Sequence, residues 1–192
     1  MSETHETHET TIEPKFPKII GLLARSRSGK DTIADYIQQK YSNINIVKRK
    51  LSGPIKNAAK ELYGFTDEEL ETNLKDIKIE KYGCSPRDVM VKITKAIMEL
   101  SGTEYFTNKL YESIGKNELT IITDIRYEHD IKRINDNDGI VIKIERDINE
   151  IVQYSNENII DKLDSDYMIC NNGTFEQLYD QIDTIVNSVI IC

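Results

Sequence analysis

Arg25-Ser26-Arg27-Ser28-Gly29-Lys30-Asp31-Thr32 brings cations, hydroxyls and a glycine together, directly after the apolar run Ile19-Ile20-Gly21-Leu22-Leu23. A buried strand that passes at once into a helix turns successive backbone N–H groups toward one point, which suits an anion. The strict phosphate-loop pattern is Gly, four residues, Gly, Lys, then Ser or Thr. Gly29 and Lys30 fit it; Ala24 stands in the place of the first glycine, Asp31 replaces the hydroxyl residue, and Thr32 comes one position late. The context of strand in and helix out decides for a phosphate loop. Arg27, Ser28, Gly29, Lys30, Asp31 and Thr32 are therefore expected to cradle the phosphates of ATP, with Lys30 reaching the β- and γ-phosphates. Asp31 and Thr32 are the candidate Mg²⁺ ligands, since hard oxygen donors suit that ion. Asp31 also suits a helix N-terminus through the dipole alone.

The elements that must hold this loop can be read from periodicity. A helix is expected over Asp31 to Tyr41, with Ile33, Ala34 and Ile37 on its apolar face, followed by a second strand over Ile44 to Leu51. Pro54 opens a helix carrying Ile55, Ala58, Ala59 and Leu62; Thr66-Asp67-Glu68-Glu69 caps another. Ser85-Pro86-Arg87-Asp88 is a further helix start, with an apolar stripe of Val89, Ile93, Ala96, Ile97 and Leu100 ending near Gly102. Leu119 to Thr123 reads as a buried strand ending in Asp124, and Glu128 to Asn135 as a helix. Strands at Gly139 to Ile144 and Tyr167 to Cys170 and an amphipathic helix from Phe175 to Ile190 complete the chain. Strands alternating with helices predict an α/β domain, a central parallel sheet of about five strands flanked by helices. One domain is expected over 16–192, after a disordered tail at 1–15 with repeated Glu-Thr-His, whose His5 and His8 make a poor metal cage.

Composition narrows the partners. The 192 residues are 39% apolar and 30% charged, the balance of a globular chain, with no apolar run approaching the roughly 20 residues of a membrane span. An intracellular, cytoplasmic protein that binds no membrane is expected. Cys84, Cys170 and Cys192 are odd in number and scattered, which suggests packing rather than disulfides or zinc. A net charge of −8 argues against a nucleic-acid polymer as partner. Cations cluster locally, at Arg25, Arg27 and Lys30 and again at Lys48, Arg49, Lys50, Lys56 and Lys60, and an acidic protein with a basic island suits a small phosphorylated substrate. Lys48 to Lys50 also read as a solvated strand edge.

Arg27-Ser28-Gly29-Lys30-Asp31-Thr32-Ile33-Ala34-Asp35-Tyr36 resembles the signature of the deoxynucleoside monophosphate kinases of large DNA phages and giant viruses. Animal phosphomevalonate kinase shares the Gly-Lys-Asp variant. Further blocks resemble the viral family in order and spacing: Ser52-Gly53-Pro54-Ile55-Lys56, Ser85-Pro86-Arg87-Asp88, Ser101-Gly102-Thr103-Glu104 and Ile122-Thr123-Asp124-Ile125-Arg126-Tyr127. Asn171-Asn172-Gly173-Thr174 is similar to an adenine-side loop shared with dephospho-coenzyme A kinase. Ala24 and Gly53 depart from the family pattern. The resemblance implies a P-loop nucleoside monophosphate kinase fold with a mobile lid or acceptor-binding region around 63–115. The implied reaction moves the γ-phosphoryl of Mg·ATP to a deoxynucleoside monophosphate. Dephospho-coenzyme A and phosphomevalonate remain as other acceptors, and an inactive phosphate-binding protein as a rival from another class. A GTPase would need Asn-Lys-x-Asp, and Asn108-Lys109-Leu110-Tyr111 lacks the aspartate. A homodimer is left open.

Phosphoryl transfer depends on positioning and charge neutralisation, so the roles fall to cations and carboxylates in these blocks. Lys30, Arg87, Asp124 and Arg126 are the expected catalytic residues. Ser52, Lys56, Arg87, Asp124 and Arg126 are assigned to the acceptor, because Lys56 and Arg87 are cations in a helix's first turn, where the dipole disfavours them unless an anion is present. Asp124 could orient the acceptor, hold Mg²⁺ through water, or pair with Arg126. The resemblance assigns Arg146, Asn171 and Gly173 to ATP. Tyr82, Tyr105 and Phe106 either stack on the acceptor or pack in the core.

Overall fold

A computed structural model describes residues 17–147 and 157–189. The expected tail at 1–15, Cys192 and the last residue of the expected C-terminal helix lie outside the described residues. Five parallel strands, β1 (Ile19–Ala24), β2 (Ile46–Arg49), β3 (Leu119–Ile125), β4 (Ile140–Glu145) and β5 (Tyr167–Cys170), form one sheet in the order β2-β3-β1-β4-β5. Every residue of β1 is buried, which its unbroken apolar run requires of a central strand covered on both faces. On one face Ile20 and Leu22 pack with Ile33 and Ile37 of α1 (Lys30–Lys40) and Ile182 and Val186 of α8 (Phe175–Val189). On the other, Ile19 and Leu23 meet Leu110 of α5 (Tyr105–Glu112) and Ile131 and Ile134 of α6 (Glu128–Asn135). This is the expected P-loop kinase architecture.

A third, smaller cluster lies apart from the sheet. Ala59 of α2 (Gly53–Tyr63), Phe65, Leu70 of α3 (Asp67–Glu71) and Val89 of α4 (Pro86–Ser101) form it, with Tyr63, Tyr82 and Cys84 packed against it. Tyr82 is a packing residue: its ring meets Tyr63 and Phe65 edge-on, and its hydroxyl donates to the Tyr63 carbonyl at 2.6 Å. Both expected caps form as capping boxes, Thr66 with Glu69 and Ser85 with Asp88.

Several expectations are corrected. β2 ends at Arg49 rather than Leu51, because the N–H groups of Leu51 and Ser52 turn away to the Asp124 carboxylate. β3 continues through Asp124 to Ile125. Leu62 and Leu100 are 70% and 82% exposed: each lies at a helix end, and α4, at roughly 24 Å for its 16 residues, outruns the cluster covering its first half. Cys170 is exposed, since it alternates with buried Ile169 on the edge strand β5. Helix α5, a 3₁₀ helix at Asn73–Asp76 and α7 (Glu157–Ile160) were not anticipated. No described helix is long and apolar enough to cross a membrane.

Candidate functional site

The phosphate loop leaves β1 at Ala24, which still pairs with Ile144 of β4. An extended strand residue has no need of glycine's freedom, so alanine is accommodated there. The unusual backbone comes later: Arg27 and Gly29 have φ of 65° and 97°, alternating left-handed positions that turn N–H groups inward. A Cβ on Gly29 would stand 2.5 Å from Asn171 Nδ2. Asn171 in turn donates to the Ser28 carbonyl at 2.9 Å, and Arg146 to the Arg27 carbonyl at 3.4 Å. Arg146 and Asn171, two of the three residues assigned to ATP outside the loop, thus lie against the loop itself. Gly173 opens the turn into α8 next to Gln177.

Beside the loop opens a cleft of about 360 Å³. It gathers Arg27, Lys30, Asp31, Ser52, Lys56, Arg87, Asp124 and Arg126, eight of the sequence-assigned residues. Ser28, Gly29, Thr32, Arg146, Asn171 and Gly173 do not line it: Ser28 is buried within the loop, and Arg146 and Asn171 bond to the loop's carbonyls instead. Seven cations line the cleft (Arg27, Lys30, Lys50, Lys56, Lys75, Arg87, Arg126) against three carboxylates (Asp31, Glu71, Asp124), in a protein whose net charge is −8. Such an excess of positive charge favours an anion.

Each charge has a traceable setting. Lys30 donates to the carbonyls of Ala24 and Arg25 at 3.2 and 2.7 Å. Asp124 accepts from the N–H groups of Leu51 and Ser52 and from the Ser52 hydroxyl, at 2.7, 2.9 and 2.6 Å. It is therefore the anchor of the β2–α2 turn, and among the described residues it does not pair with Arg126. The N–H groups of Arg126 and Tyr127 donate instead to buried Asp130, which also accepts from Thr107 of α5. Burial raises the Asp130 pKa despite those bonds.

The segment 67–76 closes one side of the cleft. Glu71 holds Lys56 at 2.6 Å and Lys50 at 3.4 Å; Asn73 accepts from Arg27 at 2.7 Å; Asp76 holds Arg87. Burial works against the charged form of Glu71, but Lys56 and Lys50 outweigh it and lower its pKa. Burial likewise disfavours charged Lys50, yet Asp31 and Glu71 outweigh it and raise the pKa. Of the strand-edge lysines, Lys48 is exposed and pairs with Asp35, as a solvated strand edge would, whereas Lys50 turns into the cleft. Lys50 was legible only as part of the basic island, and Glu71, Asn73, Lys75 and Asp76 not at all as site residues, because a polar run around 71–76 looks like any solvated turn.

The residues present suit Mg²⁺ in part. Among the described residues no group of three or more His, Cys, Asp or Glu could hold a metal unaided. Mg²⁺ is ordinarily held by one or two carboxylates together with substrate phosphate oxygens. Asp31 lines the cleft and is exposed at its rim, 3.4 Å from Lys50, while Thr32 is not at the cleft wall. A smaller hollow of about 60 Å³ shares Ser52, Ile55, Asp124 and Arg126 with the cleft and is bordered by Met98, Phe106, Tyr127 and His129. Phe106 is buried at that border, edge-on to Tyr105.

Comparison with known proteins adds the following. The sequence profile described as "Phosphomevalonate kinase" matches residues 23–140. A protein of Acanthamoeba polyphaga mimivirus named "Putative deoxynucleotide monophosphate kinase" is 26% identical over 189 residues, covering 88% of this chain and 96% of its own. Solved structures similar to this chain include the Mycobacterium tuberculosis APS kinase CysC (10% identity, 91% of this chain and 97% of that one, TM-score 0.49). Thymidylate kinase from Candida albicans is another (14% identity, 90% and 92%, TM-score 0.48).

Proposed function

The chain belongs to the phosphomevalonate kinase family, and on that premise we propose that it transfers the γ-phosphoryl of Mg·ATP to a phosphate monoester, a deoxynucleoside monophosphate. The observation that carries this reading is the cation-rich cleft, to which the phosphate loop contributes Arg27 and Lys30 and the elements α2 and α4 contribute Lys56 and Arg87. One phosphate-binding group of residues serves the donor, the other the acceptor.

On this reading Lys30 leaves its two carbonyl partners for the β- and γ-phosphates and neutralises charge as the γ-phosphoryl moves. The acceptor phosphate is largely ionised at neutral pH, its second pKa being about 6, so its oxygen attacks without a general base. Asp124 consequently serves as a positioning residue: it fixes the turn from which α2 and Lys56 project. Lys56 and Arg87 grip the acceptor phosphate, Arg87 with a planar fork that suits a phosphate. Arg126 faces the transferring group from the end of β3, its backbone fixed by Asp130. Asp31 is the side chain that would hold Mg²⁺, which would supply Lewis-acid neutralisation of phosphate charge.

Two observations favour a nucleotide acceptor. The mimivirus relative matches nearly end to end, and the hollow beside the acceptor cations carries Phe106, Tyr127 and His129, side chains suited to a flat ring. Phosphomevalonate, which has no ring, is the second reading, favoured by the family profile. The deciding experiment is coupled ADP release with Mg·ATP and a panel of deoxy- and ribonucleoside monophosphates, dephospho-coenzyme A and phosphomevalonate. Turnover greatest with a deoxynucleoside monophosphate is expected; preference for phosphomevalonate overturns the acceptor assignment, and turnover with none overturns the reaction.

A further inference from the structure

Lys75 lies on the 3₁₀ helix Asn73–Asp76, half-buried in the wall of the cleft. Its immediate neighbour Asp76 is already committed to Arg87, and Glu71 to Lys56. Among the described residues the Lys75 ammonium has neither hydrogen bond nor ion pair. Its strongest influences are loss of water on burial and then the Arg87 charge, with Lys56 adding repulsion; Asp76 and Glu71 offset only part, and the pKa falls below the ordinary 10.5. A lysine's flexible stem ordinarily lets its head snorkel to water and avoid like charge. Here the ammonium stays in the cleft wall, near the charges of Arg87 and Lys56 and of two carboxylates that those cations already engage.

Resting on the reading that Lys56 and Arg87 face the acceptor, we infer that Lys75 is a third acceptor-binding cation, and that the three side chains together hold a phosphate monoester dianion. The dianion offers three oxygens to three donors at once, which neither Glu71 nor Asp76 can do. Because Lys75 sits on the covering segment and not on α2 or α4, acceptor binding also fixes that segment over the cleft.

The test is thermal unfolding of the full chain with the donor site filled by the β,γ-imido analogue of ATP, while inorganic phosphate is titrated. Wild type, Lys75→Gln and Lys75→Arg are compared, and acceptor and ATP KM are measured beside them. In Lys75→Gln the phosphate concentration for a given shift should rise by about ten- to a hundredfold, and acceptor KM likewise, with ATP KM unchanged. Without phosphate this variant should be at least as stable as wild type, because repulsion is relieved. Lys75→Arg should retain most of the phosphate response. An equal response in wild type and Lys75→Gln, or a Lys75→Gln protein destabilised before any phosphate is added, overturns the inference. If the ATP analogue does not bind wild type, the kinase reading falls, and the same titration without the analogue still judges Lys75.

Discussion

Lys30 is bonded to two carbonyls where β1 passes into the loop, so it can reach a phosphate by exchanging neutral acceptors for charged ones. Lys30→Ala should lower turnover by at least about two to three orders of magnitude, the scale of removing one preorganised transition-state contact, with the circular dichroism spectrum unchanged. Near-normal turnover in a folded variant would remove Lys30 from the mechanism. Asp31 tests the metal. Its carboxylate is exposed at the cleft rim beside Lys50, so Asp31→Asn should raise the Mg²⁺ concentration for half-maximal rate, and Asp31→Ser should recover part of the loss. An unchanged magnesium dependence in both leaves Asp31 as a helix-end acid. Glu71 adds a pH dependence. Its pKa is lowered in the folded protein, so the stability it contributes is present above the unfolded value and disappears as pH falls through the folded one. Urea midpoints should therefore fall more steeply between about pH 5 and pH 3 in wild type than in Glu71→Gln. Parallel profiles would mean that the Lys56–Glu71 contact contributes nothing.

Arg87 owes its place to a helix start, Ser85-Pro86, whose capping box fixes the first turn of α4. Ser85→Ala should cost about 1 kcal/mol of stability and raise acceptor KM through a displaced Arg87; a KM equal to wild type would separate the cap from the site. This start was legible in the sequence because a capping box is a pattern of four consecutive residues. The strands were legible for a similar reason: β1 is an apolar run bounded by a loop. Elements stabilised by distant partners were not. Helix α5 is tied by Thr107 to Asp130, 23 residues on, and the 3₁₀ helix by Asn73 to Arg27, 46 residues back. Apolar periodicity also cannot report how far a neighbour extends, which is why Leu62 and Leu100 read as part of an apolar face although both are exposed.

Over the whole molecule, the contact that joins the two sides of the site is Asp124 with the turn at Leu51 and Ser52, separated by 73 and 72 residues. Sequence reasoning placed Asp124 at the sheet edge but left its role open among three, since nothing local indicates which backbone N–H groups a carboxylate will meet. Two large clusters sandwich the sheet, while Ala59, Phe65, Leu70 and Val89 make a separate one among α2, α3 and α4. Leu70 is 1% exposed, so Leu70→Ala should destabilise by about 2–5 kcal/mol. The loss should concentrate locally: amide exchange should accelerate from 53 to 101 and remain slow in β1 and β3. Uniform acceleration would show one cooperative unit.

A separate small cluster also has a hereditary consequence. Substitutions that reshape it fall outside the two clusters packed against the sheet, so on the proposed reading the acceptor side can change while the residues under the phosphate loop keep their packing. A family that carries one acceptor's name and a relative that carries another's are what such a division of the interior permits.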